Sequence, residues 1–216
     1  MAKQAEQNET VAWGFNDIAC TKLVKAAAEG DTATLKKLID DGFDINQPDS
    51  QGNTALVWAL LHDHTEGVRI LLEKNADVDL PRGTLPGALH AAMTDGSVEE
   101  LKMVMNASKK FDPQSLDAKL GLLSAVYLKR IDNSKYLIEK GVPVNFKDDR
   151  GDFPLYLAAK ELCPPLVKLL IEVGANVNEV DNKGQTALRV VKSRYPANDK
   201  EVPQIIAMLK KAGAKS

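Results

Sequence analysis

The stretch GNTALVWALLHDH, residues 52–64, decides the fold, and it offers two readings. Its end, His62-Asp63-His64, invites a metal or acid–base cluster; its beginning is a turn running into a short apolar helix. The second reading gains weight because Leu56 is not alone. Leu23, Leu56, Leu89, Leu122, Leu155 and Leu188 follow one another at intervals of 33 residues, and a fixed period of that size marks a repeat architecture. The settings TKLVKAAAEGD, TALVWALLHD, GALHAAMTDG, FPLYLAAKE and TALRVVKS are alike, and LGLLSAVYLK, around Leu122, diverges most.

A second motif keeps the same phase. LKKLIDDGFDIN (35–46), VRILLEKNADVD (68–79), SKYLIEKGVPVN (134–145) and VKLLIEVGANVN (167–178) each carry a helical apolar pair. Gly or Asn follows, which can take the left-handed conformation that ends a helix. DSQGN, DRGD and DNKGQ place Asp and Gly where a tight turn needs side-chain capping and positive φ. Each unit therefore reads as an extended turn, a short helix, a tight turn and a second helix. One such unit cannot bury its own apolar face, so the units must stack. Lys22 and Lys25 in the first unit, and Lys192, Lys210, Lys211 and Lys215 in the last, suit polar-faced caps.

The repeat resembles the ankyrin family, with its Thr-Pro-Leu-His-x-Ala helix and a second helix ending in Leu-Leu-x-x-Gly-Ala. The resemblance runs from about residue 16 to 213. The departures are that Pro is kept only at Pro154 and His only at His90. Ser108 replaces the helix-ending Gly of the third unit, and SRYPANDKEVPQ is inserted in the sixth. The expected fold is all-α, a solenoid of six stacked helix-turn-helix units with short β-turn fingers. The units fall at about 16–48, 49–81, 82–114, 115–147, 148–180 and 181–216. Residues 16–216 form one domain on this reading, and 1–15, with Trp13, pack with Phe15 over the first unit.

The composition is that of an ordinary globular protein and excludes several classes. The 216 residues are 44% hydrophobic and 27% charged, enough for a sizeable core. With 28 basic against 30 acidic side chains the formal charge is −2, so no cationic excess points to nucleic acid. No window is long and apolar enough to span a membrane, and MAKQAEQNETVAWGF has no signal-peptide core. The expected compartment is the bacterial periplasm if a signal peptide has been removed, and otherwise the cytoplasm. Cys20 and Cys163 lie four units apart, too far for a disulfide, and are expected as free thiols.

No catalytic constellation emerges. His62 and His64 are two residues apart, whereas two ligands on one helix face stand four apart. GTLPG lacks the Gly spacing and the Lys of a phosphate loop, and there is no Gly-x-Ser-x-Gly or Cys-x-x-Cys. A metal-dependent protein or enzyme using His62 and His64 is the alternative to a binding module. No metal, cofactor or catalytic residue is expected on the main reading.

The resemblance implies a protein partner, held on a concave surface of turn tips and first-helix flanks, by a chain expected to be a monomer. Carried over unit by unit, it selects Ser50, Gln51, Asn53, Leu61 and His62, then Thr84, Thr94 and Asp95. Next come Asp117, Lys119, Tyr127 and Leu128, then Asp149, Arg150, Asp152, Lys160 and Glu161, and last Asn182, Lys183, Gln185 and Arg194. Tyr127 and Leu128 stand out, because an aromatic beside an aliphatic suits a binding anchor. Trp58 stands where a smaller residue is usual and suits either core filling or partner contact. FNDIACTKLVKAAAEGD and TALVWALLHDHTEG also resemble bacterial ankyrin proteins that bind and neutralise secreted toxins or effectors as immunity proteins.

Overall fold

The computed structural model describes residues 18–81, 83–196 and 199–215, with side chains from Lys22 onward. Trp13, Phe15 and the Cys20 side chain, for which packing and a free thiol are expected, lie outside the described residues. Twelve helices and no strand are present among the described residues, paired as six hairpins. The chain divides into two compact units, Met1–Phe111 and Asp112–Ser216.

The first unit holds α1 (Ile18–Glu29) with α2 (Thr32–Asp40), α3 (Ala55–Leu61) with α4 (Thr65–Glu73), and α5 (Ala88–Thr94) with α6 (Val98–Ala107). The second holds α7 (Leu116–Tyr127) with α8 (Ile131–Glu139), α9 (Pro154–Lys160) with α10 (Pro164–Glu172), and α11 (Ala187–Arg194) with α12 (Glu201–Lys211). Within each unit, first helices pack on first helices and second on second. A first helix therefore touches neighbours on several sides. In α3, Ala55, Leu56, Val57, Ala59 and Leu60 are all buried, the alanines admitting the adjacent backbone and the leucines filling the space. α4 buries one stripe, Gly67, Val68, Ile70 and Leu71, and leaves Glu66 and Glu73 in water.

The period of the sequence reappears as backbone conformation. Gly30, Asp63, Lys129 and Leu162, at one register in the turn between paired helices, take φ of 70°, 57°, 58° and 50°. Gly42, Asn75, Gly141, Gly174 and Gly213 end second helices with φ between 65° and 91°. Ser108 is extended instead, at φ −71° and ψ 134°, so the third hairpin leaves its second helix by another route. Of the six periodic leucines, Leu89 alone is half-buried; the other five are 1% exposed or less.

Side-chain rungs join successive hairpins within each unit. Asn46 Oδ1 accepts the Asp77 amide, Asp79 Oδ2 that of Lys109, Asn145 Oδ1 that of Asn176 and Asn178 Oδ1 that of Lys215, each at 2.8 Å. These four acceptors occupy one register of the repeat. The fifth residue of the series, Asp112, bonds locally to the Gln114 amide.

The fingers follow expectation with one exception. Asp49, Asp148 and Asp181 each fold a turn by accepting backbone amides two and four residues on, at 2.8–3.0 Å. At the same register of the fourth hairpin stands Ser115, which caps a helix by accepting the Ala118 amide at 3.1 Å. The fourth finger is replaced by the start of α7. Asp117 and Lys119, expected at or beside a finger tip, belong to its first turns because no Gly follows to take positive φ.

Candidate functional site

Two rows of residues were expected to face a partner, the fingers and the ends of the first helices, and they differ in chemistry. The fingers are largely saturated by bonds to one another. Asn53 is corrected from the partner surface, since it is 2% exposed and its Oδ1 accepts the Leu85 amide of the next hairpin at 2.9 Å. Gln51 is exposed but its Oε1 accepts the Thr84 hydroxyl at 3.0 Å. Gly83 explains GTLPG, because a Cβ there would lie 2.4 Å from the Gln51 carbonyl oxygen. The glycine lets two fingers touch. Asp49 also accepts the Trp58 indole N–H at 2.9 Å, so Trp58, half-buried, braces its own finger from the first helix.

A related bracing recurs in the second unit. Tyr156 is buried, and its phenol faces the Asp181 carboxylate of the next finger closely enough for each to move the other's pKa. Burial first, and then the Asp181 charge, push the phenol pKa up to about 12. Burial would also raise Asp181, yet the amides of Gln185 and Lys183 that it accepts, with the nearby Tyr156 phenol, hold it below the usual carboxylate range. Asp152 faces Lys160 at 3.9 Å, and Lys160 Nζ lies 5.5 Å from the Tyr156 ring centre. Arg150 stands exposed at the finger tip.

The helix ends give the more open surface. Leu61 and Asp95 are half-buried, and His62 and Arg194 exposed. Tyr127 is 54% exposed, Leu128 47% and Ile131 38%. Tyr127 closes α7, Leu128 caps it, Lys129 turns left-handed and Ile131 opens α8. Single exposed apolar residues are ordinary, but three within five positions on one turn form a patch. Ile131 was not singled out in the sequence, although it adjoins the pair that was.

The histidines from the opening stretch sit at the equivalent turn. The chain leaves the helix at His62, and Asp63 turns left-handed, which brings the rings together, contrary to what helical spacing implies. His62 stacks on Trp58 at 5.9 Å and on His64 at 6.2 Å between ring centres. His64 Nε2 lies 2.9 Å from the Ala28 carbonyl oxygen, tying the second hairpin to the first. Among the described residues, no three His, Cys, Asp or Glu side chains gather as a metal site would need. Cys163 is a free, buried thiol at the start of α10.

A cleft of about 230 Å³ in the second unit is lined by Phe146, Phe153, Leu155, Asn145 and Asn176. Asn145 already spends both side-chain groups on the Asn176 amide and the Gly174 carbonyl. Its size falls below that of typical ligand pockets.

A family model for ankyrin repeats matches residues 3–82 and 122–194. The chain belongs to the ankyrin-repeat family. Its hairpins are similar to a solved ankyrin repeat domain from Acinetobacter baumannii AYE, with a TM-score of 0.73 and 25% identity over 90% of this chain and 99% of that one. Among curated proteins, palmitoyltransferase ZDHHC13 of Pongo abelii is 31% identical over 172 residues, 77% of this chain and 27% of that protein. Palmitoyltransferase ZDHHC17 of Homo sapiens is 26% identical over 218 residues, 83% of this chain and 34% of that protein. The chain thus spans about a third or less of the length of these curated relatives. No described helix of this ankyrin-repeat chain is long and apolar enough to cross a membrane.

Proposed function

We propose that this chain is a non-catalytic protein-binding module whose partner docks on the first-helix ends of the second unit, centred on Tyr127 and Leu128. The observation that carries the reading is the exposed apolar turn Tyr127-Leu128-Ile131 on a fold whose other large apolar side chains are mostly buried. An ankyrin array presents a surface rather than a reaction cavity, so the partner supplies any chemistry. Palmitoyl transfer, the activity in the relatives' names, finds no support in Cys163, a residue only 6% exposed.

The finer reading is an immunity protein that neutralises a secreted toxin or effector by occupying it. It rests on the resemblance of FNDIACTKLVKAAAEGD and TALVWALLHDHTEG to such proteins. Affinity capture from the source cell, identified by mass spectrometry, supplies the natural partner for the test. Truncating an aromatic anchor commonly costs about 2 kcal/mol or more. Tyr127→Ala with Leu128→Ala should therefore weaken that complex roughly thirtyfold or more with an unchanged melting temperature, while Ser50→Ala has little effect. A stable double variant that still binds at full strength would move the site off this turn. A partner that is no toxin would remove the immunity role and leave the module.

A further inference from the structure

The turns between paired helices carry opposite charge in the two units. In windows of one register, the first unit has Glu29 and Asp31 (28–32), Asp63 (61–65) and Asp95 (94–98), with no Lys or Arg. The second unit has Lys129 and Arg130 (127–131), Lys160 (160–164) and Arg194 (193–197), with Glu161 as the single acid. The repeat fixes where these positions lie but not their charge, so the cationic edge is a property of the second unit and not of the fold.

Two of these cations are held in place. Lys160 Nζ lies 5.5 Å from the Tyr156 ring centre and Arg194 Cζ 5.6 Å from that of Tyr195. The Tyr195 hydroxyl donates to the Lys160 carbonyl oxygen, which ties the last two first-helix ends together. A charge already fixed over an aromatic ring loses less freedom when a partner arrives. The apolar patch sits at the end of α7, Lys160 at the equivalent place on α9 and Arg194 near it on α11. α7 packs on α9 and α9 on α11, so these features form one row with a step of roughly 10 Å.

From this row we infer that the partner presents an extended acidic segment, with an apolar residue seated on Tyr127, Leu128 and Ile131 and carboxylates reaching Lys160 and Arg194. The inference rests on the docking surface proposed above. An extended segment in the polyproline II conformation advances about 3.1 Å per residue with three residues per turn, so one step equals about three residues and carboxylates at the third and sixth positions after the anchor share its face. A lipid surface fits less well, because beyond this one turn the row offers cations and, among the described residues, no exposed large apolar side chain to enter a bilayer.

The test uses two fluorescein-labelled peptides on the full chain, one with a Leu anchor and Glu three and six positions on, the other with Lys at those positions. The acidic peptide should bind at least tenfold tighter, by fluorescence polarisation, and Lys160→Glu with Arg194→Glu should reverse the order. Lys160→Gln with Arg194→Gln should abolish the preference, and melting temperatures check that each variant folds. Equal binding of both peptides, or no binding of either, overturns the acidic segment. So does binding to phosphatidylserine vesicles that the charge-reversed variant loses while neither peptide binds. The docking surface is judged separately on the captured natural partner: if Tyr127→Ala with Leu128→Ala weakens that complex while the peptides show no preference, the surface stands and the acidic partner falls.

Discussion

At the scale of single residues, the histidines illustrate how a local backbone event overrides a spacing rule. His62 is exposed and its stacking on Trp58 is a surface contact, so His62→Ala should change stability by less than about 0.5 kcal/mol. His64 bonds the Ala28 carbonyl and packs against Gly30, where a Cβ would meet its ring at 2.8 Å. His64→Ala should cost about 1 kcal/mol, read as a lowered melting temperature, and elemental analysis should find no stoichiometric metal in wild type. Glu100 is the second instructive residue. It closes a capping box with Ser97, accepting that amide at 2.8 Å, yet it is fully buried and its Oε1 has no hydrogen-bond partner. Burial, the larger cause, raises its pKa above the ordinary carboxylate value, although the Ser97 amide opposes the shift. A raised folded-state pKa means that the folded protein holds this proton more tightly than the unfolded chain. Its contribution to stability is therefore complete below the unfolded pKa and declines as pH rises through the folded one. Comparing wild type with Glu100→Gln, the melting-temperature difference should shift in favour of wild type as pH falls from 7 to 4; a difference independent of pH would contradict the assignment.

At the scale of elements, the fingers show what period and turn chemistry can predict. Asp49, Asp148 and Asp181 were legible as turn residues because Asp and Gly recur at fixed offsets, and the structure adds which amides each carboxylate accepts and that Asp49 also takes the Trp58 indole. The rungs at Asn46, Asp79, Asn145 and Asn178 were equally visible as the last residue of each second-helix segment, but their role needs the neighbouring hairpin. The close contact between fingers was not legible. Gly151 has φ 85°, and a Cβ there would lie 2.5 Å from the Asn182 amide nitrogen. Gly151→Ala should thus combine backbone strain with finger separation and cost about 2 kcal/mol or more, seen in thermal unfolding. Gly174 also has positive φ but nothing within 4 Å, so Gly174→Ala should cost less, about 1 kcal/mol. Equal losses at both positions would mean that the fingers part freely.

At the scale of the whole molecule, the balanced formal charge of −2 averages over acidic turns in one unit and basic turns in the other. An argument from net charge excludes a partner that needs a uniform cationic field. It does not address a row of three or four side chains whose neighbours place them in line. The 33-residue phase makes that row visible, since it says which residues share a register, and stacking within the second unit turns shared register into adjacency. The same reasoning separates candidate contacts by burial: Asn53 and Trp58 share the face of the repeat with Tyr127, yet both are used in bracing the fingers.

The sequence by itself determined the repeat, the six helix pairs and most turn positions, because each depends on local chemistry repeated at a fixed interval, and it singled out Tyr127 and Leu128 as a departure from that repeat. Tertiary structure decided which polar residues are spent. Asn53 turns inward, Lys160 and Arg194 are fixed over tyrosine rings, and Glu100 is enclosed with an unpaired oxygen. It also decided that the fourth finger would be a helix start. These outcomes depend on what the adjacent hairpin presents across the packed interface, and periodicity specifies where that neighbour lies without specifying which of its atoms arrive within hydrogen-bond reach.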